Sequence, residues 1–174
     1  MIRYFIPILI FFFSCNTHSV ENIEEEYEGP VLEVENLNTF LSDSAQIRLK
    51  LISDLYQVLN NGDEIYPDGL FMKIYSKSKN ILIANFEANH VIKYNDDNYY
   101  IATGNVVLIN MESGDELRTE ELYWYPNDEK FETNKFVTIK TDNEIHTGEG
   151  MDSNQDFSKY KILRPTGIIE IDEN

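Results

Sequence analysis

The chain has 174 residues, 42% of them hydrophobic, which suits one domain with a genuine apolar core. Its formal charge of −17 excludes a sequence-independent nucleic-acid binder, which needs clustered Lys and Arg to displace counterions. It equally argues against electrostatic attraction to an anionic membrane surface.

The first fifteen residues offer another means of attachment. Met1-Ile2-Arg3-Tyr4 carries one positive side chain, and Phe5 to Phe13 is almost wholly apolar. A spanning helix needs about 20 apolar residues, so this run is too short to cross a bilayer. It fits the apolar region of a signal peptide over residues 1–14. Phe12-Phe13-Ser14-Cys15 follows, with the protein's only cysteine at the expected cleavage point. This resembles a bacterial lipobox; Ser14 fits the pattern, whereas Phe12 stands where Leu is usual. A single cysteine in an exported chain has no internal disulfide partner, so lipidation gives Cys15 a role. Acyl chains at about 0.8 kcal/mol per buried CH₂ would make a durable anchor. The alternative is an ordinary secretory signal with an incidental Cys15. Residues 15–30 then form a lipidated N-terminus and acidic tether, carrying Glu21, Glu24, Glu25, Glu26 and Glu28.

Residues 31–174 read as one β-domain. Ile47, Leu49 and Leu51 alternate with Arg48 and Lys50, and Leu70, Met72 and Ile74 alternate with Phe71, Lys73 and Tyr75. Leu82, Ala84, Phe86, Ala88 and Ile92 share one face, opposite Asn85, Glu87, Asn89 and Lys93. Such period-two patterning predicts antiparallel strands with one dry and one wet side. Turn signals punctuate them at Asn61-Gly62-Asp63, Pro67-Asp68-Gly69, Asn95 to Asn98, Ser113-Gly114-Asp115 and Pro126-Asn127-Asp128. A short helix is conceivable over Ser53 to Leu59. A faint repeat of roughly thirty residues relates Thr103–Ile109 to Thr133–Ile139 and Leu117–Glu121 to Ile145–Glu149. It implies strand pairs of one design stacked along an axis, with chance likeness among strands as the alternative.

Nothing in the sequence marks a catalytic or metal centre, and no cofactor is expected. His18 falls in the tether, His90 at a mainly dry strand position and His146 near a turn, without metal-ligand spacing. Glu149, Asp152 and Asp156 lack the residue order of a calcium loop. No nucleophile elbow, phosphate loop or dinucleotide fingerprint is present. Tyr94, Tyr99, Tyr100, Tyr123, Trp124 and Tyr125 cluster in the middle third. Such residues fill β-cores or line an apolar groove.

The succession Gly104-Asn105-Val106-Val107, then Leu117-x-Thr119-Glu120-Glu121-Leu122-x-Trp124, resembles the LptC family of lipopolysaccharide export. Phe131-x-Thr133, Val137-x-Ile139, Thr147-Gly148-Glu149-Gly150-Met151 and Asp156-Phe157 continue it. Upstream, Tyr66-Pro67-Asp68-Gly69 and Ala84-x-Phe86-x-Ala88 agree too, so the likeness spans about Val34 to Ile169. Its motif residues are Gly69, Gly104, Asn105, Thr119, Glu120, Gly148 and Gly150.

The resemblance implies an open, two-sheet antiparallel β-jelly-roll, shared with the soluble LptA-like (OstA-like) bridge protein of that pathway. It implies a periplasmic, inner-membrane-anchored adaptor that takes lipopolysaccharide from an inner-membrane ABC transporter. Family members pass the lipid to the next jelly roll by pairing edge strands, and none of the ATP turnover is theirs. The groove-lining candidates are Leu82, Ala84, Phe86, Ala88, Val106, Leu108, Leu122, Trp124 and Phe136. Many members carry a transmembrane helix where this chain has a lipobox-like segment. The competing reading is an exported β-sandwich lipoprotein for a glycan or protein partner. A glycan binder would show aromatics on an outer face, a relay an apolar groove and an unpaired edge, and a hydrolase a closed pocket with paired carboxylates.

Overall fold

The computed structural model describes residue 27 and residues 29–170 except 78, with side chains up to 167. The signal peptide, Cys15 and nearly all of the tether lie outside the described residues. Period-two patterning is realised throughout. The strands are β1 (Leu32–Asp43), β2 (Gln46–Val58), β3 (Glu64–Tyr66), β4 (Leu70–Tyr75), β5 (Leu82–Ala88) and β6 (His90–Tyr94). They continue as β7 (Tyr99–Asn110), β8 (Glu116–Tyr125), β9 (Lys130–Lys140), β10 (Glu144–Asn154) and β11 (Tyr160–Glu170). The helix expected over Ser53 to Leu59 is instead the second half of β2, because Ser53, Leu55 and Gln57 pair across to β1.

All eleven strands belong to one antiparallel sheet. The registers show that β3 and β4 are two halves of one bent run, since both pair with β2 on one side. β5 and β6 are likewise halves of one run, both pairing with β7 on the other side. The described chain is therefore an up-and-down meander, and every run is interrupted near its middle.

Those interruptions align into a crease across the sheet. β1 has Asn36 at φ 54° between its paired stretches. The β3–β4 run turns through Pro67-Asp68-Gly69, and β5–β6 breaks at Asn89. Registers shift by a bulge between Thr103 and Val106 of β7, Thr119 and Tyr123 of β8, Glu149 and Met151 of β10 and, against β11, between Thr147 and Gly148. A bulge adds a residue to one strand, bends it and strengthens its twist. The turn signal at Pro67-Asp68-Gly69 is thus a turn inside a bent run, with β3 and β4 on either side of it. The break at Asn89 also corrects the face assignment: Val91, not Ile92, continues the dry side, and His90 faces outward, partly exposed.

The crease doubles the sheet into two layers, matching the expected all-β jelly-roll class. One layer holds the β2 residues before Ser53, β4, β5, the second half of β7, the first half of β8 and the second half of β9. The other holds β3, β6 and the complementary halves. Their apolar faces meet: the Phe86 and Phe131 rings lie 6.4 Å apart at an interplanar angle of 7°. The two repeat echoes fall on alternate strands, β7 with β9 and β8 with β10, each crossing the crease at equivalent places.

Candidate functional site: the dry interior and the free edges

Of the groove-lining candidates, Ala84, Phe86, Ala88, Val106, Leu108, Leu122 and Trp124 all point into the space between the layers and are buried. Leu82, at the start of β5, is only partly covered. Phe136 is a correction: it is 53% exposed, on the outer side of the crease beside Asn105, Thr119 and Glu120. On β9 the buried residues are Phe131, Thr133, Val137 and Ile139, with Asn134, Lys135 and Phe136 all exposed, so Phe136 falls on the outward parity of its own strand.

The interior is filled rather than hollow. Tyr100 packs on Trp124 (4.7 Å between centroids) and Trp124 on Phe131 (6.0 Å). Met72, Ile74, Leu117, Ile139 and Met151 close the gaps with almost no exposed surface. The mouth opposite the crease is stopped by the β10–β11 loop. There Phe157 is fully buried and stacks on Tyr160 (5.1 Å), with φ 55° directing the chain inward. Asn110 Nδ2 donates to the Asp156 carbonyl (2.7 Å), Trp124 Nε1 donates to Gln155 (3.4 Å), and Lys77 pairs with Glu129 across the layers. The expected continuous trough is therefore occupied by the chain's own side chains.

One end of the dry face is polar. Lys93 Nζ donates to Glu64 (2.5 Å), which also accepts from the Tyr66 hydroxyl (3.2 Å). Burial first, and then the Glu64 charge, pushes Tyr56 up to about 12 and raises Tyr66 and Tyr100 far above the usual phenol value.

The aromatic cluster splits by face. Tyr100 and Trp124 are core, while Tyr94, Tyr99 and Tyr125 stack on the outside at 4.9 and 5.8 Å. Lys130 sits over Tyr125, whose hydroxyl donates to Glu132 (2.9 Å).

The motif residues explain themselves as crease architecture. Gly104 has φ 75°, Asn105 φ 47°, Gly69 φ 98° and Gly150 φ 76°, a region that side chains with a Cβ disfavour. A Cβ on Gly69 would sit 2.9 Å from the Ala88 carbonyl oxygen, where β4 crosses the β5–β6 break. Gly148 has no room for one either, with the Arg164 carbonyl oxygen at 2.5 Å. Thr119 Oγ1 donates to the Phe136 carbonyl (2.9 Å) and Ser53 Oγ to the Gly69 carbonyl (2.6 Å). Bulges free such carbonyls from the ladder, and buried backbone groups need partners. Glu120 is exposed on the outer side.

The relay reading expects an unpaired edge without saying which strands supply it. Among the described residues β1 pairs only with β2 and β11 only with β10, so the sheet ends in two unpaired margins. β1 went unmarked because its hairpin turns on Ser44-Ala45, both at positive φ, instead of the glycine or asparagine usual there.

A family model described as "Lipopolysaccharide-assembly, LptC-related" matches residues 8–167. No curated protein matches the chain. Match and fold together place this chain in the LptC-related family of lipopolysaccharide assembly, and so among the proteins of lipopolysaccharide transport.

Proposed function

We propose that the protein is a periplasmic adaptor, held at the inner membrane through lipidated Cys15, that accepts lipopolysaccharide from an ABC transporter and passes it to an LptA-like jelly roll. The observation that carries this reading is one creased sheet with a dry inner face and an unpaired strand at each margin. Edge strands offer main-chain donors and acceptors to a neighbour, so modules can join end to end. Acyl chains need an apolar path because each buried CH₂ is worth about 0.8 kcal/mol. In this reading the protein has no turnover of its own, and ATP is hydrolysed by the transporter.

The test is photocrosslinking in cells from Phe86, Val106 and Leu108, with outward Ile109 as control. Lipopolysaccharide adducts at the inward positions that depend on ATP hydrolysis are expected. Their absence at every inward position would overturn lipid carriage. A second reading, a lipoprotein that binds a glycan through its surface, is favoured by the outward Tyr94–Tyr99–Tyr125 stack, since sugars pack on exposed rings. Loss of glycan binding on Tyr99→Ala, with inward positions silent to lipid, would select it.

A further inference from the structure

We infer that the outer face of β1, β2 and β4 is a docking surface for an anionic phospholipid bilayer. The net charge argues against whole-molecule attraction, yet this face runs the other way. Arg48 and Lys50 share the outward side of β2, the Arg48 guanidinium reaching into a cleft at the mouth, and Lys73 of β4 stands directly opposite Lys50 in the register. Like charges directly opposite each other destabilise a sheet. Among the described residues no carboxylate lies within 4 Å of any of the three; the ion pairs found involve other cations. In a chain with 31 acidic residues, three unneutralised cations in one cluster ask for an anion from outside. On the same side of the sheet Asp54, Asp68 and Glu87 gather beside Phe71 at the crease end, so the basic patch is the end of this face away from the crease.

Apolar groups accompany the cations. Phe40, paired with Lys50 across β1–β2, is 50% exposed with the Lys50 ammonium over its ring at 5.2 Å. Lys73 lies similarly near the Phe71 ring. Ile81, in the β4–β5 loop that also carries Lys79, is 53% exposed. Lys and Arg interleaved with exposed aromatic and aliphatic groups suit the headgroup–acyl boundary. An acidic polypeptide would answer only the cations.

Two further observations agree. Arg48 Nη1 is buried without a hydrogen-bond partner among the described residues, in a cleft of about 190 Å³ that also holds Ser76, Lys77 and Gln155. The acids there are engaged, Glu129 by Lys77 and Asp156 by the Ser158 N–H, so a headgroup phosphate would supply the missing acceptor. Because the sheet doubles back at the crease, both ends of β1 lie on the side away from it. The chain's arrival at Leu32 and the patch thus share one end of the body. The orientation rests on the proposed anchor at Cys15; the face itself does not.

The experiment mixes the full chain with vesicles of phosphatidylcholine alone, or with phosphatidylglycerol added, and reads lysine acetylation by mass spectrometry. Lys50 and Lys73 are expected to react about fivefold more slowly with the anionic vesicles, the effect of one basic residue near a charged surface. Lys159 and Lys161, on the other layer, should be unchanged. Lys50→Glu should abolish the dependence on lipid charge at Lys73, with circular dichroism confirming the fold. Flotation in the same samples reports the anchor separately: a chain that fails to float with neutral vesicles but is protected by anionic ones loses the anchor and keeps the face. Equal labelling of Lys50 and Lys73 in both lipids overturns the face, and protection of both lysines without any vesicle assigns it to the chain's own acidic segment.

Discussion

Gly148→Ala tests whether the crease is a packing requirement. Gly148 sits on β10 between Val137 of β9 and Pro165 of β11, at the point where the β10–β11 register shifts. An added Cβ would lie 2.5 Å from the Arg164 carbonyl oxygen, 2.5 Å from Ile162 Cγ2 and 2.8 Å from Pro165 Cα. Two of those three atoms are backbone and cannot rotate away. The clash is relieved only if β11 moves, and β11 is an edge strand held by β10 alone among the described residues. Overpacking of this kind costs about 1–3 kcal/mol, and in a chain of this length each kcal/mol lowers Tm by about 2–4 °C.

Two glycines serve as controls. Gly167, two residues further along the same edge strand, would place its Cβ 3.7 Å from Thr147 Oγ1, an ordinary contact. Gly167→Ala should therefore be neutral or slightly stabilising. Gly114 meets nothing within 4 Å but has φ 78°, so Gly114→Ala should cost about 1–2 kcal/mol through backbone strain. Urea denaturation gives the stabilities, and hydrogen exchange compares amides of β11 with those of β8. Faster exchange confined to β11 in Gly148→Ala alone is the expected signature. Stability within about 0.5 kcal/mol of wild type, with β11 exchange unchanged, would refute the packing account of the crease.

The two phenylalanines assigned to opposite environments make a direct comparison. Phe131→Ala removes a fully buried ring between Phe86 and Trp124 and should cost about 3–5 kcal/mol; Phe136→Ser should change urea stability by no more than about 0.5 kcal/mol. Lys73→Glu replaces a like-charge cross-strand pair with an opposite-charge one and should stabilise the fold by about 0.2–1 kcal/mol, a gain that high salt removes. In alkali, Tyr56 and Tyr125 are raised to about 12 and Tyr66 and Tyr100 further still. The folded state thus favours the neutral phenol. That stabilisation is complete below about pH 10, the unfolded phenol value, and is lost as pH rises through 12. Phenolate absorbance should show a late step coincident with loss of the far-ultraviolet dichroism, whereas titration of all the tyrosines near pH 10 with the dichroism intact would contradict their burial.

Sequence periodicity revealed the strands whose sides differ in solvation. β4 alternates strictly between buried and part-exposed residues, and hydrophobic alternation is a direct image of that difference. β1 lies at the margin, where few of its residues are covered, so it leaves little alternation to read. The crease was legible only as unexplained motif residues. Gly104, Thr119, Gly148 and Gly150 stood out by resemblance, but their purpose depends on partners from neighbouring strands, such as the Phe136 carbonyl and the Arg164 backbone. The break at Asn89 defeats the parity rule beyond it, which moves Ile92 to the other face; Phe136 instead has the outward parity of its own strand, although the repeat echo aligns it with inward Val106. The filling of the interior was beyond reach for a further reason: a loop residue, Phe157, supplies the plug, and alternation says nothing of loops.

That plug shapes how lipid would pass. Parting the layers with no lipid present would expose Phe86, Leu108, Trp124 and Phe131, each worth about 1.5–3 kcal/mol or more when buried. An empty, open trough is therefore unfavourable for this sequence. An entering acyl chain changes the balance, because its methylene groups replace the side-chain contacts that are lost and are themselves withdrawn from water. In the proposed relay, lipid entry and separation of the layers would then occur together, at the side margins formed by the free edges of β1 and β11 among the described residues. The crease suits this motion, since the ladder is already interrupted there and Ser53 and Thr119 satisfy carbonyls that the bulges release. At the mouth, the Lys77–Glu129 pair is exposed and holds little against water. The resistance there comes from Phe157 and the hydrogen bond from Asn110 to its neighbour Asp156, so withdrawal of this loop is the step that would admit a chain from the open end.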